Sequence, residues 1–281
     1  MTNSNIFTQG IVSTCLFASF TLLTTQVANA AQSFSLSSNL KQGALIVGKT
    51  NPDNIVKLND KVLTVSKNGD FAFGFGRDEV KPHTISVTNK SGVIEKQTLT
   101  PQKREYNIQR INGIKQSIMK PNPVAVSRSQ KDNAQIAKAR TTLSDRTAFA
   151  HGFIAPIDGK ITGVYGSQRV FNGEKKRPHF GLDYAGKTGD PVKAPADGEI
   201  LLFEPDMFYS GGTMIIDHGH GVTSTFLHLS ASKVKTGDVV KQGQVIASVG
   251  SSGRATGPHL DWRINWFGVR LDPAYVLELP K

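Results

Sequence analysis

"GTMIIDHGHGVTSTFLHL", residues 212–229, decides how the second half of the chain is read. Two runs rich in Thr, Val, Ile, Phe and Leu flank a centre where Gly219 and Gly221 alternate with His218 and His220. β-branched and aromatic residues suit strands and close-set glycines suit a turn, so two strands joined by a turn are predicted. His218 and His220 look like a chelating His-x-His pair. The glycines argue against a stiff face there, and a loop role is expected for both.

Working outward, the same punctuation recurs from His151 to the end: "GKITGVYG", "FGLDY", "DGEILLFE", "GQVIASVG" and "PHLDWRINW" are strand-like runs set off by Gly and turn residues. No helical period competes, so residues 150–281 are predicted to form a mainly antiparallel β domain. Upstream, "GALIV", "NIVKL", "KVLTV", "DFAFGF", "HTISVT" and "VIEKQTL" are separated by "ND" at 59–60, "NG" at 68–69 and "KSG" at 90–92. Short strands at that spacing predict a small immunoglobulin-like sandwich over residues 31–105. Between the two, residues 106–149 read as a linker. Pro121 and Pro123 break the chain before "VAVSRSQKDNAQIAKARTTL", which favours a basic helix. The fold class is therefore mostly β.

The first forty of the 281 residues carry no charged side chain, and "IVSTCLFASFTLLTT" precedes a small-x-small site at Ala28-Asn29-Ala30. That pattern predicts a signal peptide over residues 1–30, cleaved after Ala30, and hence an exported protein, periplasmic or extracellular and associated with the cell wall. The apolar run falls short of the ~20 residues that a membrane span needs. Cys15, the only cysteine, lies inside it. A mature chain without thiols has neither disulfides nor thiolate ligands, so any metal must be held by His, Asp and Glu. The formal net charge of +11 suits an anionic partner. The basic residues are scattered and no nucleic-acid motif is present, so no nucleic-acid partner is expected.

Five of the seven histidines fall within residues 179–259. In "HFGLD", His179 and Asp183 stand four apart and share a face of a strand. In "FLHLS", His228 sits near a strand end. In "GPHLDWRINW", residues 257–266, His259 and Asp261 share one face while Leu260 and Trp262 share the other. Taken alone, that last pair also suits an ordinary solvated face. Three such segments in one cysteine-free exported domain point instead to a metal site, and three imidazole and carboxylate ligands plus an open position suit zinc.

The ordered segments "GVYGSQR", "HFGLD", "APADGEI", "IIDHGHGVTSTFLHLS", "VKTGDVVKQGQVIASVGSSGRATGPHLDW" and "LDP" together resemble the lysostaphin-type (LytM-domain) zinc metalloendopeptidases of bacterial cell walls, of the proteobacterial kind with a signal peptide and a preceding β module. The resemblance spans about residues 150–281. It implies that His179 and Asp183 are metal ligands and that His228 and His259 are catalytic. The family's third ligand is a histidine, and Asp261 stands in its place. Asp is an acceptable zinc ligand, but a second carboxylate nearly neutralises the ion, lowers its Lewis acidity and lets Mn²⁺ compete better. The implied reaction is metal-assisted hydrolysis of peptide cross-links in peptidoglycan. One of His228 and His259 takes a proton from water and the other serves the oxyanion or the leaving amine; which does which stays open. Gly257 and Pro258 set the entry to the last long strand, and Gly163, Tyr165 and Arg169 are expected to shape the cleft.

A second reading is an impaired domain that binds and activates a cell-wall amidase, which the departure at Asp261 keeps open. A third, a biotinyl- or lipoyl-type carrier, lacks the lysine such modules carry at a hairpin tip. A monomer is expected.

Overall fold

The computed structural model describes residues 1–2, 33–37, 39–114 and 123–280. Residues 3–30 of the predicted signal peptide, with Cys15 and the cleavage point after Ala30, lie outside these residues. From Ser33 to Lys281 the chain forms one compact unit.

Seven strands open it: β1 (Phe34–Leu36), β2 (Leu45–Thr50), β3 (Ile55–Leu58), β4 (Lys61–Leu63), β5 (Asp70–Gly74), β6 (His83–Thr88) and β7 (Ile94–Leu99). They make two antiparallel sheets, ordered β1-β2-β5 and β4-β3-β6-β7. In a constant-type immunoglobulin sandwich the fourth strand completes the first sheet. Here only Asn59 and Asp60 join β3 to β4, with Asn59 at φ +52°. A loop that short makes a tight hairpin and obliges β4 to lie beside β3. Inward-facing Leu45, Val56, Phe71, Phe73, Ile85 and Val87 fill the core. β1 was not foreseen, because its three residues fall short of a readable alternation.

The stretch read as a linker holds a strand. β8 (Ile108–Ile111) pairs in parallel with β10 (Gln168–Phe171), sixty residues downstream. A single parallel partner at that distance leaves no turn signal, so the sequence hides it. The predicted basic helix is α1 (Pro123–Ala139). It is anchored by Arg128 Nη2 on Asp206 Oδ2 at 2.6 Å and by the Phe208 amide on Asp132 Oδ2 at 2.7 Å.

The remaining strands are β9 (Ile161–Gly163), β11 (Glu174–Lys175), β12 (Leu182–Ala185), β13 (Pro191–Lys193), β14 (Gly198–Met207), β15 (Gly211–Gly219), β16 (Val222–Ser232), β17 (Val239–Val240), β18 (Val245–Val249), β19 (His259–Trp266) and β20 (Val269–Leu271), before α2 (Pro273–Val276). Ten belong to one sheet, whose central path runs β17-β14-β15-β16-β19-β12-β9 with antiparallel neighbours. β15 and β16 are the strands of residues 212–229. Gly219, His220 and Gly221 take φ of +100°, +50° and +80° at their turn. A Cβ on Gly219 would stand 1.7 Å from the Arg146 carbonyl oxygen, so both the backbone and the space require glycine.

The sandwich and this sheet are tied by buried polar contacts. Arg104 Nη1 meets Asp272 Oδ2 at 2.8 Å, with the aspartate side chain 3% exposed. Arg77 donates from Nε and Nη2 to the Gly166 carbonyl at 2.9 and 2.8 Å.

Candidate metal centre and its paired imidazoles

β12 and β19 are adjacent and antiparallel, and their register sets Asp183 directly opposite Asp261. Two carboxylates facing each other across a ladder repel, so the arrangement calls for positive charge between or beside them. His179 lies before β12 rather than, as expected, on a strand face with Asp183; it brings Nε2 to 3.1 Å from Asp183 Oδ1. Donor atoms of His179, Asp183 and Asp261 all lie within 4.8 Å of one another. His179 Nε2 and Asp183 Oδ1 are both buried and lack a hydrogen-bond partner.

Two glycines leave room for this convergence. A Cβ on Gly163 would stand 2.2 Å from Asp183 Oδ2, and one on Gly181 would stand 2.0 Å from Asp261 Oδ1. One imidazole nitrogen and two carboxylates, two of the donors orphaned and buried, fit a divalent cation.

Arg263 belongs to the same group. It lies two residues past Asp261 in β19, hence on the same face, and grips it with two parallel bonds: Nε to Oδ1 at 2.9 Å and Nη2 to Oδ2 at 2.5 Å. The Asp261 side chain is 4% exposed. Burial by itself raises the Asp261 carboxyl, but the guanidinium outweighs it and holds the carboxyl below its usual range. Each carboxylate oxygen keeps a second lone pair, so this grip leaves Asp261 able to take a metal. Burial likewise pulls the His179 imidazole down, and the Asp183 and Asp261 carboxylates outweigh that and leave it above its ordinary value. Arg263 was not singled out from sequence. The signal was the alternation in "DWR", which places Arg263 and Asp261 on one side of the strand.

His228 and His259 sit together, ring centroids 4.7 Å apart. The pairing in β16 slips between Leu229 and Phe226, against Gly212 and Met214 of β15, and His228 takes φ +64° at that bulge. Strict alternation would have sent His228 to the face opposite Leu227, and the bulge re-aims it. His228 Nδ1 donates to the Ser252 carbonyl at 2.8 Å, and His259 Nδ1 donates to the Gly257 carbonyl at 2.8 Å. A carbonyl only accepts, so both neutral rings carry the proton on Nδ1 and keep a lone pair on Nε2. Burial depresses the His228 pKa, and His259 and Arg263 press the same way; bonding to Ser252 and the Asp261 charge only partly oppose them.

The other expected residues lie elsewhere. Tyr165 is 2% exposed, and its hydroxyl donates to the Arg270 carbonyl at 2.8 Å, so it supports β20 rather than lining a cleft. Arg169 is an exposed residue of β10. His218 is a core histidine of β15, not a loop residue. Its Nδ1 donates to the Asp197 carbonyl at 2.8 Å, and its Nε2 stands 2.8 Å from Ser224 Oγ, which also receives Trp262 Nε1 at 3.2 Å. His220 is buried in the turn, against the Phe149 ring at 4.8 Å between centroids.

Residues 177–273, which contain His179, Asp183, His228, His259, Asp261 and Arg263, match the sequence profile of peptidase family M23. Over 100 residues the chain is 41% identical to the DD-carboxypeptidase/endopeptidase Mpg of Neisseria meningitidis, covering 36% of this chain and 23% of that protein. Over 105 residues it is 38% identical to the peptidoglycan DD-endopeptidase ShyC of Vibrio cholerae, covering 37% of this chain and 24% of that protein. The matched part thus spans about a quarter of the length of these curated relatives. A solved structure from Pseudomonas aeruginosa, assigned to peptidase M23, matches at 27% identity with a TM-score of 0.65, covering 84% of this chain and 94% of that one.

Proposed function

We propose, from the match of residues 177–273 to peptidase family M23 and the likeness to named endopeptidases, that the chain is a metal-dependent endopeptidase that cuts peptide cross-links of peptidoglycan. The observation that carries the proposal is the meeting of His179, Asp183 and Asp261 donors beside two imidazoles with free Nε2 atoms. His179, Asp183 and Asp261 would hold the ion, with zinc proposed and Mn²⁺ as the competitor. A bound divalent cation would supply Lewis-acid polarisation of the scissile carbonyl and of a water.

The chain's own residues move the protons. His228 and His259 each present a neutral Nε2: one accepts a proton from water, and the other, once protonated, gives one to the leaving amine. Arg263 draws charge from Asp261, so the ligand set carries less than two full negative charges. That offsets the loss of Lewis acidity expected from exchanging a histidine ligand for a carboxylate.

The divisions proposed for the chain are a signal peptide over 1–30, a β module over 31–105, a connector over 106–149 and a peptidase domain over 150–281. Export to the periplasm or outer surface and a monomeric state complete the proposal. The amidase-activating reading draws no support from relatives named as endopeptidases. Metal analysis with peptidoglycan digestion tests the assignment on wild type, His179→Ala and Asp261→His. Wild type should hold one equivalent of metal and release cleaved cross-links, and His179→Ala should lose both. Equal products from these two, or none from either, would overturn it.

A further inference from the structure

Arg263 is not the only guanidinium on this side of the sheet. Thr225 of β16 is paired with Arg263 of β19, and the Thr225 hydroxyl oxygen accepts from Arg140 Nη2 at 2.9 Å. Arg140 is 8% exposed, and its Nε is buried with no partner. On the β12 side, Arg177 and Arg270 flank one ring: their Cζ atoms lie 5.8 and 5.1 Å from the centroid of Phe180, the neighbour of His179. Cation–π contact at that range favours both guanidiniums lying against the ring. Among the described residues no carboxylate lies within 4.0 Å of Arg140, Arg177 or Arg270, whereas Arg263 has Asp261.

Burial, then repulsion from Arg270, Arg263 and Arg177, push Arg140 down to about 9. Burial and the charges of Arg177 and Arg263 push Arg270 down to about 10. Both remain cations at neutral pH, so three unmatched positive charges crowd one matched pair. Such crowding opposes folding unless a ligand supplies the missing negative charge. Three forked donors suit a planar carboxylate better than a diffuse anionic surface.

We propose that Arg140, Arg177 and Arg270, gathered around the Arg263–Asp261 pair, form a subsite for a free carboxylate of the peptide substrate. The subsite rests on the endopeptidase reading and names its substrate class: a peptide bearing a carboxylate near the bond that is cut. Arg263, around which these guanidiniums gather, bonds the candidate ligand Asp261 directly, which places the bound carboxylate near the scissile bond.

The test compares a cross-linked peptide carrying free carboxylates with its carboxamide form, on the metal-loaded full chain. Turnover is read on wild type, and binding by calorimetric titration on His259→Ala, so that affinity is measured without cleavage. Amidation should raise KM and Kd about tenfold with kcat little changed, as expected for lost charge-assisted bonds. Arg177→Gln and Arg270→Gln should erase the acid-over-amide preference, and Arg270→Lys should keep part of it. Equal binding of acid and amide peptides overturns the subsite. So does displacement of both forms to the same extent by inorganic phosphate. If the acid peptide binds tighter but neither form is cut, the subsite stands and the endopeptidase reading fails.

Discussion

Asp261 answers to two cations, the ion expected among His179, Asp183 and Asp261 and the guanidinium of Arg263. Removing one partner of a buried pair leaves the other uncompensated, so Asp261→Ala should lose metal and about 3 kcal/mol of stability. Asp261→Ala with Arg263→Met should regain most of that stability without regaining metal, as read by urea unfolding and metal analysis. Failure of the double variant to recover would mean the pair is not the source of the loss. His218 supplies a second prediction. Its Nε2 must stay unprotonated to accept from Ser224, and burial pushes it down to about 4 from an ordinary 6.5. The unfolded chain therefore takes up the proton first. Stability complete above pH 6.5 should fall by about 3 kcal/mol as pH drops towards 4, then level off. His218→Gln should flatten that acid limb in urea melts at pH 7 and 4.5. At this scale the sequence is informative about types and silent about partners. The spacing of His179 and Asp183 flagged the pair, although His179 lies before β12 and meets Asp183 from outside the strand, whereas the interior role of His218 was masked by the glycines beside it.

Among the elements, β16 carries the least expected device. Its bulge puts a non-glycine residue, His228, in the left-handed region, a conformation costing on the order of 1 kcal/mol or more. His228→Gly should therefore abolish turnover while leaving stability unchanged or raised by up to ~1 kcal/mol, as measured by chemical denaturation with activity assays. A clear loss of stability would show that the imidazole's bond to Ser252 outweighs the strain. Period-two alternation located β16 and β19 and put His259 with Asp261. It could not reveal a register slip, because a bulge is a relation between two strands and each strand is spelled separately. The same limit hid β8, whose partner β10 lies on the far side of α1.

For the molecule as a whole, the turn signals were enough to read a sandwich followed by a sheet, but not how firmly the two are tied. Arg104 and Asp272 are 168 residues apart in sequence, and nothing in either neighbourhood announces the other. These ties also bear on the connector that β8 begins. The body up to residue 114 and the body from residue 123 onward are joined by the β8–β10 ladder, the Arg104–Asp272 pair and the Arg77 bonds to Gly166. A protease nick between residues 114 and 123 should leave two fragments that co-elute on gel filtration and part only in denaturant. Covalent continuity through that stretch would then be dispensable, and the two halves, expressed as separate genes, should reassemble into a working whole.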